Sequence, residues 1–385
     1  MKFIKKLLKS IIIIFGLLVI VLYATDTDYL LKAVRTIYLK GYSTAYLEDY
    51  KEFENQTIEA GISQPWPNHK NYNSVEESEG LKTINKANGS IAYVIIKNDS
   101  VWFENYYDGF NKDSKSNSFS MAKSYVSGLM GKAIQDGYIK SLDQPVSDFI
   151  SEFNEGLAAK MTVGDLSSMA SGTNWDEKYY SPLSITTRAY FDDDLEKVIL
   201  GLKMDNEPGT AYKYASGDTQ MLAMVIEKAT GKKIYDYLTE SFWKPLGSEN
   251  PTLWQVDSES HDLVKAYCCI ASNAKDFARF GKLYKDHGKW NGKQVLDSAF
   301  VAKSLKPRFA KSPEYGYGWW LKDIGNKHFF MMRGHLGQYV IVEPSDNIII
   351  VRLGHSKGPK DEVATFTEDI TTYIEEAYKM LGYDL

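Results

Sequence analysis

An unbroken apolar run from Ile11 to Ala24 follows four lysines, Lys2, Lys5, Lys6 and Lys9, and Asp26 and Asp28 restore polarity just beyond it. The pattern predicts an export segment, with residues 1–9 as a basic cytoplasmic flank and residues 10–24 as a transmembrane anchor or signal segment. The run is shorter than the roughly 20 residues that span a bilayer comfortably, but Lys9 can snorkel and Tyr23 can sit at the interface. Leu22 stands where a cleavage site wants a small residue, and no lipobox cysteine follows, which favours an uncleaved anchor over a cleaved, secreted form. Either way the body is expected outside the cytoplasm, in the anchored case as a single-pass protein of the cell membrane.

Further along, apolar pairs at Leu30, Leu31, Val34 and Ile37 predict a helix, and residues 25–84 read as an N-terminal extension that links to or wraps the domain. Two β-rich runs, Ser90–Ile96 and Val101–Tyr107, flank the turn residues Lys97–Ser100 and predict a hairpin. From residue 119 to about 285 the periodicity is mainly helical. Strand patterns return at Tyr315–Leu321, His328–Met332, Tyr339–Val342 and Asn347–Leu353, before a last helix near Asp361–Met380. Strands at both ends with helices between predict an α+β domain over residues 85–380. Its sheet part spans about 85–136 and 267–380, and an all-helical insertion spans about 137–266.

Charge and cysteine usage narrow the chemistry. A net charge of -5 offers no basic excess for a phosphate backbone, so nucleic acid is not an expected partner. Cys268 and Cys269 are adjacent and cannot close long loops, so the fold is not expected to depend on disulfides. No His-Glu-x-x-His or Cys-x-x-Cys spacing occurs, and neither a metal nor a cofactor is expected.

A nucleophile search turns on Ser-x-x-Lys, because residues three apart share a helix face and a lysine there can take the hydroxyl proton. Three sites match. Ser241 runs into Pro245, and Ser272 reads as an ordinary helix cap. Ser120, with Lys123, differs. Its helix carries an apolar stripe (Met121, Tyr125, Leu129, Ala133) opposite a stripe of small residues (Ser124, Ser127, Gly128, Gly131), so it reads as buried on two sides. Burial would desolvate Lys123 and make its neutral amine available as a base.

Two further features stand out. Tyr214-Ala215-Ser216 sits before a helix expected to end at Gly231, where a tyrosine can relay a proton. Gly334-His335-Leu336-Gly337 opens an alternating strand, and its glycines let a substrate lie against the backbone. A competing Gly-x-Ser-x-Gly at Gly354–Gly358 fails, because that arrangement needs a histidine downstream of its serine and none follows His355.

Ser120-x-x-Lys123, Tyr214-x-Ser216 and His335-x-Gly337, in that order, resemble the penicillin-recognising serine hydrolases. The phrases Met161–Glu177, Glu207–Asp218 and Tyr315–Trp320 are similar to that family's β-lactamase-related branch, in particular to class C-like esterases and the hydrolases of 6-aminohexanoate oligomers. The resemblance implies a β-lactamase/transpeptidase-like fold, an antiparallel sheet flanked by helices, with the nucleophile at a helix start. It further implies that Ser120 attacks a carbonyl, that Lys123 and Tyr214 handle its proton, and that the N–H groups of Ser120 and Gln338 hold the oxyanion. His335, Gly337 and Ser216 would face the substrate. Ser216 and Leu336 replace an asparagine and a hydroxyl residue usual in β-lactamases, which favours a small-molecule or peptide-like ester or amide over a β-lactam. A cell-wall-peptide sensor, or a true β-lactamase or D-alanyl peptidase, is the alternative.

Overall fold

Ser90–Lys97 is buried at every position, as expected of a strand covered on both faces. It lies within the main sheet of a computed structural model that describes residues 1–360 and 364–385. In chain order the elements begin with α1 (Lys2–Ala24), α2 (Tyr29–Thr36), β1 (Asn55–Ile58), α3 (Glu79–Ala87), β2 (Ser90–Lys97) and β3 (Ser100–Tyr106). They continue through β4 (Ser116–Asn117), α4 (Ala122–Gln135), α5 (Val163–Ser167), α6 (Ile185–Phe191), α7 (Leu195–Leu200), α8 (Ser216–Thr230) and α9 (Ile234–Leu238). The rest are β5 (Thr252–Gln255), β6 (Ile270–Ser272), α10 (Ala274–Lys285), β7 (Lys289–Trp290), β8 (Lys293–Gln294), α11 (Ser298–Ser304), β9 (Trp320–Ile324), β10 (Lys327–Gly334), β11 (Gln338–Glu343), β12 (Ile348–Gly354) and α12 (Glu368–Leu381).

Six strands pair antiparallel in the order β3-β2-β12-β11-β10-β9. Side chains of one strand alternate between two faces, and the burial follows that alternation. Val94, Ile96, Val340, Val342, Ile349 and Val351 join the large core with α4 and α10. Tyr93, Ile95, Ile341 and Ile350 pack instead on Leu81 of α3 and Ile370, Tyr373 and Ile374 of α12. The result is helix, sheet, helix, an α+β arrangement that leaves the start of α4 beside the end of β10 and the beginning of β11.

Several sequence expectations change. The insertion is not all-helical: β5 lies within it and, with β1, β4 and β6, builds a second antiparallel sheet in the order β1-β5-β6-β4. These strands have four residues or fewer, too short for a periodic signal. The strand expected at Tyr315–Leu321 begins only at Trp320, because Gly318 turns left-handed at φ 77° and its carbonyl accepts from Ser124 Oγ at 2.6 Å. The last helix starts at Glu368 rather than Asp361, and residues 361–363 of that expectation lie outside the described residues. Asn273, not Ser272, caps α10, its side chain accepting from the Asp276 N–H. Gly231 does close α8 in the left-handed conformation.

Residues 25–84 wrap onto the domain. β1 pairs with β5, Tyr29 donates to the Pro182 carbonyl at 3.0 Å, and Asp49 is fully buried, accepting from Asn117 Nδ2 at 2.9 Å and Tyr190 OH at 2.6 Å. By contrast no residue of α1 is buried. Its 23 residues extend about 35 Å at the usual rise, enough for a membrane's hydrocarbon core.

Candidate active site

Ser120 sits in the 3-10 turn Phe119–Met121 that feeds α4. The residue before it, Phe119, adopts φ 45°, a left-handed value rare for a bulky side chain and costing about 1–3 kcal/mol. Asn117 holds this turn: its Oδ1 accepts from the Phe119 N–H at 2.8 Å, while its own amide donates to Asp49. Ser118 adds a reciprocal pair to Ile270, its N–H donating to the carbonyl at 2.7 Å and its Oγ accepting from the N–H at 3.1 Å.

The two-sided burial expected of α4 is present, with Ala122 through Gly131 all buried. Its small stripe admits the 317–318 loop, where Ser127 Oγ donates to the Tyr317 carbonyl at 2.8 Å. One turn past the nucleophile, Lys123 is 3% exposed. Its Nζ donates to Ser120 Oγ at 2.9 Å and to the Tyr267 carbonyl at 2.8 Å. Burial lowers its pKa to about 8, against the opposing pull of the Glu177 carboxylate. At neutral pH an appreciable fraction of the amine is therefore unprotonated, beside a hydroxyl.

Tyr214 precedes α8, and its ring centroid lies 5.1 Å from Lys123 Nζ. It packs on Trp320 with centroids 5.3 Å apart. Burial pushes its phenol up, Glu177 adds to that, and a hydrogen bond with Ser120 works the other way, so the phenol stays protonated and able to donate. Ser216 begins α8 and gives its N–H to Glu177 Oε1.

The third motif closes the site. His335 lies between the Phe119 ring, met edge-on at 5.5 Å, and the Tyr179 ring, stacked at 5.3 Å, with Thr44 Oγ1 3.3 Å from Nε2. Burial drops its pKa to about 4, helped by Lys357, so the imidazole is neutral. Gly337 has φ 82°, and a Cβ there would lie 2.3 Å from Arg352 Nη1, which donates to the Gly337 carbonyl. Gln338 opens β11 with its side chain committed: Nε2 donates to the Gly354 carbonyl at 2.7 Å and Oε1 accepts from the Gly354 N–H at 3.1 Å. Only its main chain is left for a substrate.

Ser120, Lys123, Tyr214, Ser216 and His335 thus converge, and Ser120, Ser216 and His335 line one cavity of about 280 Å³. Gly337 and Gln338 follow His335 and Leu336 in the chain. Two groups were missed by the sequence reading. Glu177, whose Oε1 also accepts from Trp175 Nε1 at 3.0 Å, keeps a buried Oε2 with no partner among the described residues. In the sequence it stands only as the last residue of the Met161–Glu177 phrase. The Tyr267 carbonyl is a backbone atom, which no residue pattern marks. Next to it Cys268 and Cys269 are bonded to each other, a ring within one strand entry rather than a loop-closing bridge.

Comparisons with known proteins bear on the family and the fold. The family model described as Beta-lactamase matches residues 80–371. A 6-aminohexanoate-dimer hydrolase of Paenarthrobacter ureafaciens is 24% identical over 297 residues, covering 70% of this chain and 73% of that protein. Among solved structures, a provisionally named 6-aminohexanoate-dimer hydrolase of Bacillus anthracis superposes with a TM-score of 0.72 at 20% identity, covering 87% of this chain and 93% of that one. A D-stereospecific amidohydrolase of Streptomyces sp. gives 0.61 at 15% identity, over 80% of this chain and 100% of its own.

Proposed function

Because the chain belongs to the β-lactamase family of serine hydrolases, we propose that it cleaves an ester or amide through an acyl-enzyme on Ser120. The observation that carries the reading is the buried Lys123 amine, lowered to about 8 and 2.9 Å from Ser120 Oγ. Ser120 Oγ attacks the substrate carbonyl while its proton passes to Lys123. The tetrahedral oxyanion is held by the N–H groups of Ser120 and Gln338. As the C–O or C–N bond breaks, the leaving alcohol or amine takes a proton relayed by Lys123 and Tyr214. Water then attacks the acyl carbon, gives its proton to the same pair, and Ser120 is released with the carboxylic acid.

His335, neutral at any physiological pH, contributes shape and hydrogen bonding rather than charge. In this reading Ser216 and Gly337 border the substrate, and no cofactor enters the reaction. The N-terminal helix α1 anchors the protein, and the body faces the extracytoplasmic side, an assignment supported by the basic flank and the apolar run.

Fluorophosphonate labelling of the full chain, read by mass spectrometry with peptide mapping, tests the reading. One adduct on Ser120 together with multiple turnovers of a simple ester is the expected result. Absence of an adduct on folded protein overturns the hydrolase mechanism. A stable adduct without turnover of any ester or amide supports the sensor alternative instead.

A further inference from the structure

Around Ser120 most of the exposed cavity wall is apolar, and eight of its twenty-two lining residues come from the N-terminal segment that precedes the catalytic domain. Leu30, Ala33, Val34 and Ile37 of the α2 region, with Ala45, form that wall. Phe119, Tyr190 and Phe191 complete its apolar lining. α2 begins only a few residues after α1, and the intervening Asp26 is tied to Arg188 and to Lys197 Nζ. The root of the apolar N-terminal helix is thus fixed to α6 and α7, and α6 also lines the cavity through Thr186, Thr187, Tyr190 and Phe191.

The surface beside that mouth is apolar too. Val34, Tyr38, Leu39, Tyr180 and Leu183 are exposed, Leu39 by 76% and Leu183 by 71%. Large apolar residues left in water beside an anchoring helix suit a membrane interface better than solvent.

Which part of a substrate would occupy the cavity follows from where the protons are handled. The lining includes Ser120, Ser216 and His335 but neither Lys123 nor Tyr214. A leaving group must face the pair that reprotonates it, so the opposite substituent of the carbonyl, the acyl part, is the one directed into the cavity.

Resting on the acyl-enzyme reading, we infer that the substrate is a membrane-borne lipid ester or amide. Its aliphatic acyl chain fills the cavity between α2 and the Phe119 turn, and a fatty acid is the released acid. The exposed apolar rim holds the mouth at the bilayer surface, so the chain passes from lipid to protein with little exposure to water. Each methylene buried there adds about two- to fourfold to kcat/KM until the cavity is full.

The test uses the full chain in phosphatidylcholine nanodiscs and p-nitrophenyl esters from acetate to decanoate, followed by a monoacylglycerol embedded in the same discs. The expected result is an optimum at octanoate or longer, with at least about a sixtyfold gain over acetate, and fatty acid release from the embedded lipid. Ala33→Trp and Ala45→Phe, from two independent wall segments, should each lower the decanoate-to-acetate ratio at least tenfold. An unchanged ratio in both variants overturns the cavity assignment. If acetate is turned over best, the acyl-chain inference is wrong and the hydrolase reading stands. If no ester is turned over and Ser120 takes no fluorophosphonate, the hydrolase reading itself fails. Long-chain preference without hydrolysis of the embedded lipid overturns the membrane source.

Discussion

Lys123 Nζ reaches Ser120 Oγ at 2.9 Å and the Tyr267 carbonyl at 2.8 Å, so the amine is oriented from both sides by groups that carry no charge. A buried ammonium held only by neutral oxygens is poorly stabilised, which is the physical origin of its lowered pKa. The same arrangement sets the chemistry and its dependence on pH.

The neutral amine is the active form, and its pKa is about 8. Turnover should therefore rise about tenfold per pH unit between pH 6 and 7 and level off above about pH 8. His335, at about 4, adds no second step in that window. A pH profile of kcat/KM checks this, and a flat profile would remove Lys123 as the base. Ser120→Ala should lower kcat at least about a thousandfold without altering the melting temperature.

Glu177 raises the lysine pKa through its charge while its Oε1 accepts from the Trp175 indole and the Ser216 N–H. Glu177→Gln keeps an acceptor for those two donors and deletes the charge. The acid limb of the pH profile should move to lower pH, since the ammonium loses its attractive partner. A midpoint that stays in place would mean that Glu177 acts only in packing.

A second buried lysine has no catalytic contact. Lys265 is 0% exposed, its Nζ has no hydrogen-bond partner among the described residues, and it lies 3.7 Å from the Phe53 ring centroid. Desolvation holds its pKa well below the ordinary lysine value. The unfolded chain therefore binds a proton that the folded chain refuses, and folding is penalised below the unfolded pKa of about 10.4. Lys265→Met should stabilise by about 2 kcal/mol at pH 7, with the advantage shrinking as pH rises towards 10. Thermal unfolding of both proteins at pH 7 and pH 10 measures the gain and its decline, and an equal gain at the two pH values would mean that Lys265 is not held neutral by desolvation.

Gly131 lies where α4 meets α11: an added Cβ would stand 2.3 Å from the Phe300 ring. Overpacking costs about 1–3 kcal/mol, and the gain in helix propensity returns about 1 kcal/mol. Gly131→Ala should lower the melting temperature by about 1–3 °C. Equal or higher stability would mean that Phe300 moves aside freely.

By itself the sequence determined the features that repeat locally: the apolar run that forms α1, the long strands β2, β11 and β12, the two-sided burial of α4, and the Ser120–Lys123 pairing that one helical turn enforces. Periodicity and spacing record these because each depends on neighbours within a few residues. Tertiary structure alone decided the rest. Short strands β1 and β4 pair with β5 and β6 across more than 150 residues, so no window of sequence contains that register. Asp49 stabilises the nucleophile turn from a segment that reads as a linker, and Tyr267 contributes a carbonyl, a group every residue possesses. The apolar wall beside Ser120 exists only because α2 folds back onto α6, and a contact made by folding back leaves no periodic trace in the chain.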